Sequence, residues 1–251
     1  MPRIIDLTRE IYHRMVVSPT YPSVAIYPHL THQETGPSYQ NKISNSMMGL
    51  IMFDHCGTHV DAFTHMDPRP TAESIDQLPV TRFYTEAICL DFSDLGAGGV
   101  ITTQHIQERL ERTGASIKKG DTFLIRTGHY DPGPSTGKFR TTHDQIGKEF
   151  ETYMRGFPGL GREATEWLAN QGVVNVASEA RSIDSPVNER GDIPDPQPAH
   201  QVCRDRKVLA TENLLIPVDL VGKRFIYIGL PLKLRGGTGS PIRAIAVLPD
   251  R

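Results

Sequence analysis

Short apolar runs, separated by polar, glycine-containing and proline-containing segments, recur along the whole chain. Runs of strand length with this character are typical of strands buried in a sheet. They cover residues 4–8, 47–53, 87–92, 122–126, 173–177, 214–218, 224–230 and 242–248. The last three runs follow one another closely, and we expect them to close a mixed sheet.

Two further segments have the spacing of a helix. Residues 103–112 place Ile106 and Leu110 four positions apart, so that both side chains lie on one helical face. Residues 161–170 form a second helical segment, and Gly172 follows it as a stop. Strands and helices together predict an α/β fold with a mixed central sheet and flanking helices.

Other stretches show neither period. Residues 18–28 contain three prolines, which exclude a continuous helix and indicate a long ordered loop. Residues 130–158 are polar and irregular. Residues 235–240 are glycine-rich but lack the order of a phosphate-binding loop, so we expect a tight turn there. No repeat, linker or change of composition divides the chain, which predicts one domain over residues 1–251.

The charge balance and the cysteines narrow the class of protein. Lysine and arginine total 27 against 29 aspartate and glutamate residues, and neither sign gathers in one region. Nucleic acid and anionic membranes need a concentrated basic face, so we expect neither as a partner. No segment is apolar enough for a membrane helix, and the 3 cysteines leave one thiol over in any disulfide scheme. Both features favour a reducing, cytoplasmic location.

Candidate chemistry is concentrated in residues 54–65, directly after the apolar run 47–53. Neutral imidazole nitrogens and carboxylate oxygens are the usual protein ligands of Zn²⁺ and Mn²⁺. The segment holds several of both kinds, namely Asp54, His55, His59, Asp61 and His65. We therefore predict a metal site built on His55, His59 and Asp61. The alternative is a polar loop whose histidines only form ordinary hydrogen bonds.

The spacing of His55 and His59 indicates the type of site. One helical turn, or a loop folded back at Gly57, would bring both rings to one ion. No glutamate stands between them, so this is not the HExxH motif of zinc proteases, and a different metal hydrolase is indicated. Asp54 is expected to orient His55 or His59 by contacting the ring nitrogen that does not face the metal. The alternative is that Asp54 is a plain surface residue.

The cluster also forms an ordered pattern. Residues 55–61 run His, any residue, Gly, Thr, His, any residue, Asp, and His65 follows four positions beyond Asp61. This pattern resembles that of the metal-dependent cyclase-like hydrolases, the family that includes bacterial kynurenine formamidase and isatin hydrolase. Weaker matches extend the resemblance over most of the chain, at residues 125–128, 157–160, 182–184 and 239–244.

The resemblance implies a larger site and a role for each residue in it. In two-metal members a histidine and a glutamate from later in the chain complete the site, and His200 and Glu212 are similar in spacing and context. Glu212 also precedes the apolar run 214–218, where a buried carboxylate needs a partner such as a cation. We expect one or two divalent ions, Zn or Mn, per subunit. His65 is similar to the family's catalytic histidine, and a fourth metal ligand is its alternative role.

The resemblance further implies a swivelling β/β/α fold and a homodimer or homotetramer with active sites near the subunit interface. This chain departs from the formamidase pattern in two places. Phe63 stands where that pattern has proline, and its larger ring is expected to reshape the substrate pocket. Residues 130–158 make the chain longer than the compact formamidases.

These inferences together predict a metal-dependent hydrolase of the arylformamidase or cyclic amidase type. Metal-activated water would cleave the amide bond of a small, aromatic molecule, and His65 would carry the proton to the leaving group. A lactone or other cyclic ester is the alternative substrate for the same site. The alternative of another class is a non-catalytic metal-binding protein, whose site would be closed by four protein ligands.

Overall fold

The computed structural model describes residues 2–129, 146–189 and 191–249. Within these ranges the strands are β1 (Arg3–Asp6), β2 (Ala25–Leu30), β3 (Met47–Ile51), β4 (His59–Asp61), β5 (Tyr84–Asp91), β6 (Val100–Ile101), β7 (Thr122–Arg126), β8 (Gly159–Leu160), β9 (Asn175–Ser178), β10 (Leu209–Glu212), β11 (Arg224–Ile228), β12 (Gly239–Pro241) and β13 (Ile245–Leu248). The helices are α1 (His32–Thr35), α2 (Thr103–Thr113), α3 (Ile146–Arg155), α4 (Arg162–Asn170) and α5 (Pro198–Arg206).

The largest sheet has nine strands in the order β1-β13-β11-β5-β7-β9-β10-β4-β12. Strands β5, β7, β9 and β10 pair in parallel at its centre. The pairs on both flanks are antiparallel. The prediction of an α/β fold with a mixed central sheet and flanking helices is confirmed.

The centre of this sheet is buried on both faces. Along β5, Ile88 and Leu90 point into a cluster that includes apolar side chains of α2, α4 and α5. Ala87 and Cys89 alternate with them and point into a second cluster on the opposite face. Because both faces of such a strand are apolar, its sequence is a continuous hydrophobic run. For this reason β5, β7 and β9 were recognisable from sequence alone, whereas the short β10 was not.

Local signals set the ends of α2. The Thr102 hydroxyl accepts a hydrogen bond from the backbone N–H of His105, and Gly114 closes the helix with a φ of +68°. The helices predicted over residues 103–112 and 161–170 are both confirmed, as α2 and α4.

Helices α3 and α5 are findings of the structure. The prediction that residues 130–158 are irregular is wrong in part, because α3 occupies Ile146–Arg155. Residues 130–145 of that stretch lie outside the described residues. Helix α5 is short and has Pro198 in its first turn. Backbone N–H groups in the first turn have no partner within the helix, so proline, which lacks this group, costs no hydrogen bond there. The α5 segment has little helical periodicity. The α3 segment places Ile146, Phe150 and Met154 four positions apart, a helical signal that the prediction of an irregular stretch overlooked.

The strand predicted over residues 214–218 is wrong. Strand β10 lies just before it and ends at Glu212, and the chain leaves the sheet at Asn213, whose φ is +58°. Leu214 and Ile216 are nevertheless buried in the core. A short apolar run that is buried with an isolated bridge instead of a strand ladder has the same sequence pattern as a strand, so periodicity alone could not separate the two.

The apolar run 47–53 does form a strand, but the expectation that it lies in the core is wrong. Strand β3 pairs with β2 in a separate two-stranded sheet. Its apolar residues are each more than half exposed, namely Met47, Met48, Leu50 and Ile51. Composition cannot distinguish a strand that faces a core from one that presents an apolar surface. We refer to β2 and β3 together as the apolar arm.

None of the helices within the described ranges is long and apolar enough to cross a lipid bilayer. Cys56, Cys89 and Cys203 are all buried as free thiols. Burial raises the pKa of Cys56 to about 11, so this thiol is protonated at neutral pH although it adjoins His55.

His129 is an ionisable side chain buried in the fold. It is 2% exposed, and its ring meets that of Phe157 edge-on at a centroid distance of 5.6 Å. Burial, together with the positive charges of Arg9 and Arg181, lowers the pKa of His129 to about 4. The imidazole is therefore neutral in the folded protein at neutral pH.

We predict that His129→Gln makes the protein less sensitive to acid. In the unfolded chain the pKa is 6.5, so the neutral ring stabilises the fold above that pH and loses this contribution as the pH falls through 4. Between these pH values, urea titrations should show the wild type losing up to about 3 kcal/mol more unfolding free energy than the variant. His29→Gln, which removes an exposed imidazole, is the control. Equal losses in wild type and H129Q would contradict the prediction.

Candidate metal centre

Strand β4 supplies the first two residues of the site. Successive side chains of a strand point to opposite faces, so His59 and Asp61 share one face while Val60 enters the core on the other. Strand β10 pairs with β4 in antiparallel register and sets Glu212 directly opposite His59. All three polar side chains are buried. Strand pairing thus joins two parts of the sequence that are far apart.

The turn before β4 brings His55 to the same place. Gly57 has a φ of +63°, which glycine adopts without strain, and the chain folds back there. Nδ1 of His55 lies 2.7 Å from Oδ1 of Asp61. Of the two local structures expected for the spacing of His55 and His59, the structure has the folded-back loop.

Helix α5 supplies the fourth part of the site. Nε2 of His200 lies 3.4 Å from Oε1 of Glu212 and 3.7 Å from Oδ2 of Asp61. On the other side, Nε2 of His59 lies 3.4 Å from Oδ1 of Asp61. The structure therefore brings together all five predicted ligands, and their role as ligands stays a prediction.

The donor atoms form two groups that share Asp61. His55, His59 and Asp61 make one group, and Asp61, His200 and Glu212 make the other; within each, the donor atoms lie within 4.8 Å of one another. Oδ2 of Asp61 is fully buried and accepts no hydrogen bond from the described residues. A buried carboxylate oxygen without a donor is costly, and a cation satisfies it. The donor set fits one or two divalent ions.

The outer nitrogens of two histidines are fixed by acceptors. Nδ1–H of His59 donates to the carbonyl oxygen of Gly57 at 2.9 Å. Nδ1–H of His200 donates to Oδ2 of Asp184 at 2.5 Å. Each acceptor holds the proton on the outer nitrogen, so that the inner nitrogen presents its lone pair to the centre.

His55 is oriented through a hydroxyl. Its Nε2 lies 2.8 Å from Oγ1 of Thr238, and that hydroxyl donates to Oδ2 of Asp54 at 2.7 Å. The backbone N–H groups of Thr238 and Gly239 donate to the same oxygen. Asp54 therefore acts on His55 indirectly. Thr238 lies in the expected turn at residues 235–240, where Gly236 has a φ of +69°.

In the metal centre, burial and the neighbouring charges shift the pKa values of His59, His200 and Asp61 in opposite directions. Burial alone would lower the pKa of His59, but Asp61 and Glu212 outweigh it and raise that pKa to about 9. Burial also opposes protonation of His200, yet its hydrogen bond to Asp184 and the two carboxylates of the site raise its pKa well above the usual value. Burial would raise the pKa of Asp61, but the neighbouring histidines hold it well below its usual range. Without a cation, protons on the imidazoles balance the carboxylates.

His65 lies beside these donor groups. It ends a short 3₁₀ turn that follows β4, and its ring centroid is 4.0 Å from that of His55 and 6.4 Å from that of His200. Burial, with the nearby positive charges of these two histidines, lowers its pKa despite the negative charge of Asp61. A neutral imidazole next to the centre is able to accept a proton. Its predicted catalytic role stays a prediction.

Phe63, which stands where the formamidase pattern has proline, packs into the core of the fold. Its side chain is 1% exposed and belongs to the core cluster. Nζ of Lys207 lies 4.4 Å from the ring centroid, and the guanidinium of Arg82 lies 5.7 Å from it. The ring is occupied by core and cation–π contacts, so the expectation that it reshapes the substrate pocket is wrong.

Three residues of this region were not expected as parts of the site: Asp184, Thr238 and Gly239. Their function is to orient other side chains, which carries no spacing signal in a sequence. Asp184 and Gly239 fall in the segments 182–184 and 239–244, where the family resemblance was weak. Those matches were the one signal that could have indicated them.

Comparisons with known proteins agree with this geometry. The profile of the putative cyclase family matches residues 5–185. The chain is similar to a kynurenine formamidase of Paracidovorax citrulli, at 27% identity over 92% of this chain and 92% of that protein. It is also similar to an isatin hydrolase of Roseibium aggregatum, at 25% identity over 91% of this chain and 82% of that protein.

Solved structures share the fold. An isatin hydrolase bound to the product analogue thioisatinate superposes with a TM-score of 0.78 at 22% identity, over 99% of this chain and 93% of that one. Isatin hydrolase A from Ralstonia solanacearum gives a TM-score of 0.79 at 22% identity, over 99% and 92%. The expected cyclase-like fold is confirmed.

We predict that Gly239→Ala disrupts the metal centre. A Cβ at this position would lie 2.8 Å from Cε1 of His55 and 2.9 Å from the carbonyl oxygen of Val60, so the imidazole has to move. Affinity for Zn²⁺, measured by competition with a chromophoric chelator, should fall at least about tenfold. Gly191→Ala is the matched control, because its Cβ would meet no atom within 4 Å. Unchanged affinity in G239A would contradict the prediction.

Proposed function

The chain belongs to the putative cyclase family, and on that premise we propose that it is a metal-dependent hydrolase that cleaves the carbon–nitrogen bond of a small formamide or cyclic amide. One observation carries the proposal: buried Asp61 lies between two groups of histidine donors, and its Oδ2 has no hydrogen-bond donor among the described residues. The names of the relatives, kynurenine formamidase and isatin hydrolase, denote hydrolysis of a formamide and of isatin, which is a cyclic amide.

A bound divalent ion, Zn or Mn, would polarise a substrate carbonyl and make a water molecule more acidic. His55, His59, Asp61, His200 and Glu212 would hold one or two such ions. His65 lies outside both donor groups and is neutral, so it would take the proton from the attacking water and return it to the leaving nitrogen.

Aromatic side chains next to the centre support an aromatic substrate. Tyr21 and Phe53 lie with their ring centroids 4.3 Å apart. Burial, and then the negative charges of Glu212 and Asp61, raise the pKa of Tyr21 to about 12. Its hydroxyl is therefore exposed to the negative charge of two predicted metal ligands. The phenol stays protonated and can donate a hydrogen bond, while the two rings, tilted by 42° to each other, offer an apolar wall.

The same attack opens a lactone, so a cyclic ester is the competing substrate class. A non-catalytic metal-binding protein would require donors on every side of the ion. The position of His65 favours a catalytic site over a closed one. Its ring centroid lies 4.0 Å from that of His55, and it belongs to neither donor group.

We predict that protein reconstituted with Zn²⁺ or Mn²⁺ hydrolyses N-formylkynurenine or isatin. Asp61→Asn should lose both the metal and the activity, because the residue belongs to both donor groups. His65→Gln should keep the metal while kcat falls by about 10²- to 10⁴-fold, as expected for loss of a general base. Steady-state kinetics and elemental analysis on the same samples measure both effects.

His29→Gln again serves as the control with an exposed imidazole. Turnover confined to lactones would replace the amidase proposal by the ester alternative. Metal binding without hydrolysis of any amide or lactone would favour the non-catalytic reading.

We further propose that the protein forms a homodimer or homotetramer through its apolar arm. The arm exposes Met47, Met48, Leu50 and Ile51 without a charged residue among them, and neighbouring exposed apolar side chains of this kind mark an interaction surface. A second copy of the chain is the occupant that this surface suits, because an uncharged apolar strand offers nothing to nucleic acid.

We predict that the double variant Met48→Asp with Leu50→Asp is monomeric, because burying two carboxylates in an apolar interface is costly. Sedimentation velocity at about 20 μM should give the dimer or tetramer mass for wild type and the monomer mass for the variant. Val80→Asp, at an exposed apolar position outside the arm, is the control. A monomeric wild type would contradict the proposal.

A further inference from the structure

The strand pairing that holds the centre ends at the centre itself. Strands β4 and β10 pair from Asp61 opposite Ala210 to Glu212 opposite His59. The next position would set Thr58 opposite Asn213. Asn213 instead adopts a left-handed φ of +58° and leaves the sheet. The last backbone pair of this ladder is thus the one that carries two predicted metal ligands.

Side chains replace the missing part of the ladder. The hydroxyl of Thr58 donates to the carbonyl oxygen of Asn213 at 2.5 Å and accepts from the backbone N–H of Arg9 at 2.9 Å. The guanidinium of Arg9 donates to Oδ1 of Asn213 at 2.9 Å. Each of the three residues therefore contacts the other two, and all three are buried.

The N-terminal segment takes over as the partner of the departing chain. Thr8 forms an isolated antiparallel bridge with Leu214, and the backbone N–H of Leu215 donates to the carbonyl oxygen of Leu7. Arg9 follows directly, with its guanidinium 5.6 Å from the ring centroid of Tyr153 in α3. Arg9 is consequently held by Thr58, by Asn213 and by the ring of Tyr153.

We infer that Thr58, Arg9 and Asn213 form a clamp of positioning residues that sets the affinity of the centre for its ion. Thr58 immediately precedes His59, and Asn213 immediately follows Glu212. A shift between these two segments would move Glu212 away from His59 and Asp61, and so change the spacing of the predicted ligands. The inference rests on the proposed metal-dependent function. It adds residues that are not themselves predicted metal ligands.

The experiment compares two substitutions of Thr58 in the full-length protein. Thr58→Val keeps the shape of the side chain and removes both hydroxyl hydrogen bonds, whereas Thr58→Ser keeps the hydroxyl. After removal of metal, the dissociation constant for Zn²⁺ is measured by competition with a chromophoric chelator. The unfolding free energy of the metal-free proteins is measured alongside it.

We expect the dissociation constant to rise about 10- to 100-fold in T58V, as when residues that orient metal ligands are removed, and to stay near the wild-type value in T58S. Asn213→Gly is the second variant. Glycine accepts the left-handed φ and keeps the backbone carbonyl that Thr58 contacts. The variant removes the side-chain acceptor of Arg9, together with the hydrogen bond between Asn213 and Tyr153. A smaller loss of affinity is expected for it, and N213G decides by the same criterion if T58V fails to fold.

Wild-type affinity for Zn²⁺ in T58V, even with a lowered unfolding free energy, would overturn the clamp and leave the proposed function intact. A merely structural role predicts that result. Wild-type protein that binds no Zn²⁺ or Mn²⁺ at all would overturn the proposed function and the clamp together. The two failures are therefore distinguishable in one set of titrations.

Discussion

A carboxylate buried among imidazoles is the constraint on which the site depends. Asp61 is 1% exposed, and an ionised carboxylate removed from water is destabilising by several kcal/mol unless cations or donors compensate it. The compensation here comes from the histidines around it, which lower its pKa. The rings of His55, His59 and His200 are in turn each held by a partner on the outer side: the Thr238 hydroxyl, a backbone carbonyl and the Asp184 carboxylate. Much of the polar structure around β4 follows from this one buried charge.

Strand pairing solves the problem of assembling the site. Strand β4 is short, and it lies between β10 and β12 in the nine-stranded sheet. Strand β10 brings Glu212 opposite His59, while β12 brings Gly239 opposite Asp61, where the absence of a side chain leaves room for His55. Hydrogen-bonded register fixes these positions more rigidly than loops would, which suits a centre whose donor atoms need a defined spacing.

The position of the apolar arm links assembly to the site. Strand β3 ends at Ile51, four residues before His55, so the chain passes directly from the exposed apolar surface into the metal-binding loop. Phe53 lies on this connection and contacts Tyr21 next to the centre. Self-association through the arm would therefore order the segment that presents both the aromatic wall and the first histidine.

The sequence by itself determined the chemistry of the first donor group and the core of the fold. Three histidines and two aspartates in residues 54–65 are legible without a structure, because local spacing carries that information. Buried parallel strands are legible for a similar reason, since both of their faces are apolar. His200 and Glu212 came from family resemblance, because residues so distant in sequence carry no local signal. Only the tertiary structure decided that the loop form brings His55 to Asp61, that Phe63 belongs to the core, and that the run 47–53 is exposed. It also identified Asp184, Thr238 and Gly239, because their roles are defined by what they touch across the sheet, and contacts between distant segments exist only once the chain is folded.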